Sequence, residues 1–294
     1  MNILLTGSSG FIGSNFKKYF TEKTIRFFLR ENISIPSDVE VLVHLAGKAH
    51  DLDNTVASQE YYKVNYELTR KVYDDFLASK AKVFITLSSV KAVADEVIGS
   101  LCEEISAQPT TPFGKSKLLA EQYIISKELP EGKRVYILRP CMIHGPGNKG
   151  NLNLLYKLVS KNIPWPLGAF ENKRSFCSID NLMFIFKELI EREDIPSGIY
   201  NVADDEPLST NELIYLIAQS QNRKPKIWNI SKKFIEGVAS IGDKLHLPLN
   251  TERLQKLTSS YVVSNAKIKA AIGKPLPVSS REGLFKTFKS FNNK

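Results

Sequence analysis

The chain is poor in the residues that build disulfide frameworks and metal clusters. Its three cysteines, Cys102, Cys141 and Cys177, lie far apart and match no metal-ligand spacing. That excludes a disulfide scaffold and fits a reducing compartment. The four histidines are equally scattered, so no metal site is expected. His44 falls in an apolar run and reads as a satisfied core residue, whereas His50 and His144 read as loop residues, His144 beside a cleft. No apolar stretch approaches the roughly 20 residues of a membrane span, and no membrane partner is expected. No basic leader or cleavage signal precedes the first apolar run, so a cytoplasmic protein is expected. Acidic side chains are outnumbered, 31 against 40, leaving a net charge of +9. The basic residues form no stripe interleaved with aromatics, which argues against nucleic acid and leaves an anionic small substrate.

What is present begins at the N-terminus. A short apolar run, Ile3 to Leu5, enters a turn with glycines at Gly7, Gly10 and Gly13, and a helical pattern follows. This strand, turn and helix start is the arrangement that cradles a dinucleotide pyrophosphate. Gly7 permits a tight turn, Gly10 lets backbone approach phosphate, and Gly13 lets helix pack on strand. Helix N–H groups then face the anion. A glycine-rich turn in an unrelated α/β protein is the competing account.

Strand-like runs are expected at 2–6, 25–29, 40–45, 82–87 and 134–139, and helices at 11–20, 57–79 and 115–128. Alternating strands and helices predict an α/β fold, a Rossmann-like doubly wound parallel sheet. The nearly continuous apolar runs Val41–Leu45 and Val83–Leu87 suit strands buried on both faces. After Pro140 the character changes, with Pro and Gly crowding 140–150 and 164–168. Residues 1–150 are read as the dinucleotide-binding domain. Residues 151–294 are read as mainly a smaller C-terminal substrate-binding lobe, some of whose segments are free to return to the first domain.

Several segments in register carry a resemblance. Thr6–Gly13 (TGSSGFIG), His44–Gly47 (HLAG), Leu87–Val90 (LSSV) and Pro112–Lys117 (PFGKSK) resemble the signatures of the extended short-chain dehydrogenase/reductases. His144–Gly147 (HGPG) and Arg174–Asp180 (RSFCSID) resemble the nucleotide-sugar epimerase branch, the NAD-dependent epimerase/dehydratase family. Bacterial UDP-glucose and UDP-N-acetylglucosamine 4-epimerases, and related 4-ketoreductases of surface-polysaccharide pathways, are the nearest relatives this implies.

In that family a Tyr and a Lys four residues later share a helix face, and the ammonium lowers the phenol pKa for acid–base work. A strand-end Ser bonds the same substrate oxygen. The resemblance places the Lys at Lys117 and the Ser at Ser89, with Ser88 supporting the loop near the nicotinamide. The tyrosine position holds Phe113, which has no proton to give. Three accounts stand open: a tyrosine replaced by design, a variant drawing its proton from Lys91 or a water on Ser89, or an inactive binding relative.

The resemblance implies cofactor contacts from Gly7, Gly10, Phe11, Ile12 and Gly13, and from Leu45, Ala46 and Gly47. It implies packing on the nicotinamide by Pro140 and Ile143. An acidic residue at the end of the second strand selects NAD, whereas an arginine accommodates a 2′-phosphate. Arg30 occupies that neighbourhood and leans to NADP, although a one-residue shift puts Glu31 there. The acidic residue that the family has before the third strand finds no clear match here, and Asp38 is the candidate to serve for it. Arg174 is read as the sugar-diphosphate ligand, since guanidinium forks suit phosphate. Asn151, at an expected helix start, Lys91, His144 and Arg253 complete the substrate set, and the loop 165–170 is a wall beside the base.

The implied activity is a UDP-hexose or UDP-N-acetylhexosamine 4-epimerase working through a transient 4-keto sugar. The alternatives are an NADPH-dependent reductase of UDP-4-keto-6-deoxy sugars and a silent sugar-nucleotide binder. Homodimerisation through a four-helix seam of 57–79 and 115–128 is expected by the same resemblance.

Overall fold

Alternation within the strands decides the layers. In the computed structural model, which describes residues 1–21, 24–26, 35–48, 57–148, 150–245 and 250–292 (24–26 and 151 by backbone alone), the first half of the chain alternates strand and helix. In order it forms β1 (Ile3–Thr6), α1 (Phe11–Tyr19), β2 (Thr24–Arg26), β3 (Val41–His44) and α2 (Ser58–Tyr61). A π-helical turn, Tyr62–Glu67, joins α2 to α3 (Leu68–Ala78). Next come β4 (Val83–Leu87), a 3-10 turn Val90–Ala92, β5 (Ser100–Leu101), α4 (Pro112–Ser126), β6 (Arg134–Pro140) and β7 (Met142–His144). The second half holds α5 (Asn151–Ser160), β8 (Phe176–Ser178), α6 (Ile179–Glu191), β9 (Gly198–Val202), α7 (Thr210–Ser220) and α8 (Lys232–Leu245). The chain closes with α9 (Thr251–Thr258), β10 (Val262–Val263), α10 (Ala266–Ile272) and α11 (Ser280–Phe291).

Successive strand residues point to opposite faces. Ile3, Leu5, Val41, Val43, Val83 and Ile85 meet Phe16 of α1 and Leu182, Ile185, Phe186 and Leu189 of α6 on one side. Leu4, Leu42, Phe84, Val135 and Ile137 meet Val72, Tyr73 and Phe76 of α3 and Ile124 of α4 on the other. The sheet is therefore covered on both faces, as expected of the doubly wound class. Its order is β2-β1-β3-β4-β6-β9, and every pairing is parallel. Strand order reverses beside β1, so the carboxyl ends of β1 and β3 flank a crevice of the kind that takes ligands in such sheets.

β9 and α6 lie beyond residue 150 and complete this layer. The remaining C-terminal elements build two further apolar clusters. One joins Phe176 of β8 to α7 and α11; the other joins Trp165 and Leu167 to Ile235 and Ala239 of α8 and Leu254 of α9.

Two boundaries differ from the sequence reading. The helix expected at 115 starts at Pro112, because the Thr111 hydroxyl accepts from the Gly114 amide at 3.2 Å and proline suits the first helical position. Phe113 thus sits in a rigid first turn. The helix expected at 57–79 runs over 58–78 with the π turn inside it, a feature apolar spacing does not display. Of the strand expected at 25–29, residues 27–29 lie outside the described residues.

Candidate active site

The glycines of the opening turn have distinct reasons. Gly7 has φ +69°, and a Cβ there would lie 2.5–2.6 Å from the Leu45 and Ala46 backbone. A Cβ on Gly13 would lie 2.2 Å from the Gly7 carbonyl oxygen. Packing therefore demands both. At Gly10 an added Cβ meets only the Gly7 oxygen, at an ordinary 3.5 Å. Gly10 is exposed and begins α1 with no side-chain cap. First-turn amides of α1 thus open towards solvent at the carboxyl edge of the sheet, a ready place for an anion. Phe11 and Ile12 are half-buried beside it.

Beneath the turn lies a polar floor. The Ala46 amide donates to Thr6 Oγ1 at 3.1 Å, and that oxygen pairs with His44 Nδ1 at 2.8 Å. His44 Nε2 pairs with Thr69 Oγ1 at 3.0 Å. Burial, with help from the Lys117 charge, lowers the His44 pKa to about 3. The ring is neutral and structural, as read from the sequence. Its two bonds tie β1, β3 and α3 together at the crevice.

The π turn aims Asn65 into the same region. Asn65 is fully buried; its Oδ1 accepts from the Lys48 amide at 2.8 Å, and its Nδ2 donates to Ser116 Oγ at 3.1 Å. Ser116 Oγ in turn donates to the Phe113 carbonyl at 2.8 Å. Lys117 Nζ donates to the Leu87 carbonyl at 2.8 Å. A Cβ on Gly47 would stand 3.2 Å from both Lys117 Nζ and Asn65 Oδ1. Gly47, Asn65, Lys117 and the end of β4 therefore converge. Burial lowers the Lys117 pKa to about 8, with Glu121 opposing.

Ser89 sits two residues past the Leu87 carbonyl that holds Lys117. Its Oγ accepts from the Lys91 amide at 3.2 Å and caps the 3-10 turn. Ser88 turns the other way, into the protein, and its hydroxyl donates to Glu121 Oε1. Glu121 and Arg139 form a buried fork, with Nε–Oε1 3.0 Å and Nη2–Oε2 2.5 Å. Lys91 Nζ lies 4.3 Å over the Tyr261 ring and donates to the Asp95 carbonyl at 2.7 Å. Burial lowers its pKa, and the nearby Arg174 charge adds to that. Tyr261 donates to the Ala94 carbonyl at 2.7 Å, which pins the turn after Ser89. Phe113 is 8% exposed and meets the Tyr61 ring edge-on, centroids 5.9 Å apart.

Arg174 Nε donates to the Ser259 carbonyl at 3.0 Å, and its Nη2 donates to the Lys256 carbonyl. The guanidinium is thus anchored on the last turn of α9, close enough to Lys91 to influence it. Arg253 is exposed on the same helix. Pro140 ends β6 and is buried, and Ile143 in β7 is half-buried against the main core.

Two readings need correction. His144 lines no cleft: it is fully enclosed, its ring bonded to Thr287 Oγ1 at 2.9 Å and facing Asp204 Oδ2 at 3.4 Å, with Gly283 packed over it. It joins β7 to α11 instead. Asp38 precedes β3, and Asn2 Nδ2 donates to it at 2.9 Å, so it lies at the amino end of the sheet, away from the crevice. Arg30, Glu31 and His50, and the side chain of Asn151, lie outside the described residues. Among the described residues no cluster of three or more His, Cys, Asp or Glu side chains is placed to hold a metal, and no helix is long and apolar enough to cross a membrane. Asn65, Glu121 and Tyr261 were not read from the sequence; a polar residue amid an apolar helix pattern was the available signal for Asn65.

The profile of the NAD dependent epimerase/dehydratase family matches residues 28–203, which is more than half of the chain. The chain belongs to this family. A UDP-glucose 4-epimerase of Vibrio cholerae is 29% identical over 320 aligned positions, covering 99% of this chain and 95% of that one. An N-acetyl-α-D-glucosaminyl-diphospho-ditrans,octacis-undecaprenol 4-epimerase of Escherichia coli O157:H7 is 27% identical, covering 76% and 73%. Among solved structures, the UDP-glucuronic acid 4-epimerase from Bacillus cereus in complex with NAD superposes with TM-score 0.75 at 18% identity, over 100% of this chain and 99% of that one. At that identity the superposition establishes the Rossmann-like fold alone. This epimerase/dehydratase chain has Ser89 and Lys117 at the end of β4, Lys117 bonded to the Leu87 carbonyl, and phenylalanine at 113.

Proposed function

We propose that this chain is a nucleotide-sugar 4-epimerase whose coenzyme and substrate sites are intact and whose acid–base position is filled by Phe113. The observation carrying this is the convergence of Lys117 Nζ, the Leu87 carbonyl before Ser89, and Gly47 on one spot at the carboxyl edge of the sheet. The residues fit a nicotinamide dinucleotide. Gly10 is bare although packing leaves room for a side chain, the α1 amides open beside it, and Gly47 keeps the approach to Lys117 clear. Bound there, the coenzyme supplies reversible hydride transfer at the sugar C4.

The protein's own part is positioning and proton management. Gly7, Gly10 and Gly13 with Phe11 and Ile12 seat the pyrophosphate, and Leu45, Ala46 and Gly47 border it. Lys117, cationic below about 8, holds the nicotinamide ribose, with Pro140 and Ile143 bounding the ring and Ser88 supporting the loop from within through Glu121. Ser89 would hydrogen-bond the C4 oxygen; oxidation to a 4-keto sugar would pass the C4 hydride to the coenzyme and the hydroxyl proton to a base at 113, the part Phe113 does not supply, and both would return on the other face after the sugar turns. Lys91, Arg174, Arg253 and Asn151 take the uridine diphosphate, Arg174 already braced by α9. The segments beyond residue 150 supply that wall. Leu119 and Ile125 of α4, 38% and 61% exposed, support a homodimer seam with α2 and α3. Arg30 inclines the coenzyme choice to NADP; tighter binding of NAD refutes a 2′-phosphate site there.

Phe113 cannot exchange a proton, and acid–base groups of this kind contribute about 10²–10⁴-fold. The test is Phe113→Tyr assayed for C4 inversion of UDP-glucose and UDP-N-acetylglucosamine. The expected result is a turnover gain in that range with no net coenzyme consumed. One coenzyme oxidised per sugar identifies a reductase instead, and binding without turnover in the tyrosine form identifies a silent binder.

A further inference from the structure

Helix α8 carries two apolar faces, and the fold uses one. Ile235, Ala239 and Gly242 are buried, the first two packed with Trp165, Leu167 and Leu254. Phe234, Val238, Ile241 and Leu245 follow the i, i+4, i+7, i+11 spacing of a second stripe. Of these, Phe234, Ile241 and Leu245 are 63%, 55% and 64% exposed, and Trp228, in the loop before the helix, is 56% exposed. Solvated single apolar residues are ordinary, but a continuous stripe with an exposed indole is an interaction surface.

The charges around the stripe identify its partner. Lys233 and Lys244 lie about 90° around the helix from the stripe, on the side away from the buried face. Glu236 and Asp243 lie on the side roughly opposite the stripe, and Asp243 is occupied by the Thr251 amide at 3.1 Å. Exposed Lys224 and Lys226 precede Trp228 in the same loop and add to the local positive charge. An apolar stripe edged by lysines, with the acidic residues turned away, matches a helix lying in the headgroup layer of an anionic membrane.

We propose that α8 and the preceding loop dock this chain reversibly on an anionic membrane surface. Among the described residues no helix is long and apolar enough to span the bilayer, so the contact is superficial. α8 packs on α9, whose last turn braces Arg174, so docking sets the substrate side of the cleft beside the lipid.

The test is sedimentation of the full chain with vesicles of phosphatidylglycerol or of phosphatidylcholine, alongside Trp228 fluorescence. The expected result is at least tenfold stronger partition to phosphatidylglycerol, with blue-shifted emission that is lost in Trp228→Phe. Phe234→Ser with Ile241→Ser, and separately Lys233→Glu with Lys244→Glu, each lower that partition at least tenfold while melting temperature and coenzyme binding hold. All four side chains are exposed, and the charge pair serves if the apolar pair folds poorly. No partition to phosphatidylglycerol, or partition unmoved by both pairs, overturns the proposal. A wild-type dimer that the apolar pair converts to monomer also overturns it, since a second copy then covers the stripe.

Discussion

Replacing Glu121 by leucine removes the only carboxylate described against Arg139 and leaves a guanidinium that is 5% exposed without a counter-charge. Breaking a buried pair from one side costs about 3–5 kcal/mol, because the remaining charge stays desolvated. Arg139→Met strands the carboxylate, itself 2% exposed, and costs a similar amount. The double variant buries neither charge, so it is expected within about 2 kcal/mol of the parent. The coupling in the cycle is then at least about 4 kcal/mol. Urea denaturation of the four proteins, with unchanged slopes, measures it. The Ser88 hydroxyl loses its acceptor in both leucine-bearing variants, so turnover in a Phe113→Tyr background falls as well. Single-variant costs below about 1 kcal/mol, or a double-variant cost equal to their sum, refute the reading of this pair as a buried brace under the Ser89 turn.

Gly13→Ala forces a Cβ to 2.2 Å from the Gly7 oxygen, so it destabilises the fold by more than about 2 kcal/mol and abolishes coenzyme binding in calorimetry. Gly10→Val, where packing leaves space, is expected to keep the melting temperature within a few degrees and weaken coenzyme binding at least about tenfold. Equal thermal losses at the two positions contradict the assignment of Gly10 to the ligand. Burial holds Lys117 near 8 against an ordinary 10.5, so the unfolded chain binds the extra proton between those values and stability rises with pH across that window. Lys117→Met is therefore more stable than the parent by about 3 kcal/mol below pH 8, an advantage that fades towards pH 10.5 in urea titrations. Arg174→Met frees the last turn of α9 and is expected to raise the Kd for UDP at least about tenfold while coenzyme affinity holds. A loss of coenzyme affinity instead moves Arg174 out of the substrate wall.

Features encoded by local sterics or strand periodicity were legible in the sequence. Gly13 is dictated by a 2.2 Å approach to the Gly7 oxygen within one βα unit and Gly7 by its φ of +69°, so spacing revealed both, although Gly7 also packs on Leu45 and Ala46 after β3. The buried strands announced themselves through apolar runs, and the two-sided covering followed. His44 read correctly as core because its neighbours are apolar on both sides. His144 read wrongly because its partners, Thr287 and Asp204, are distant in sequence and a Gly-Pro-Gly stretch beside it suggests a loop. Asn65 escaped notice because a π turn, invisible to a 3.6-residue period, sets its direction. Arg174 was singled out as a phosphate ligand, but its carbonyl partners at the end of α9 were not legible, since they lie more than 80 residues away. The helix start at Pro112 rests on a threonine cap that the apolar pattern does not signal.

The most direct measurement is the structure of this chain crystallised with NAD and UDP. The account predicts the pyrophosphate over Gly10 and the first amides of α1, with Lys117 Nζ bonded to the nicotinamide ribose beside Ser89. A coenzyme bound elsewhere, or a ring kept from Lys117 and Ser89 by a closed crevice, contradicts it.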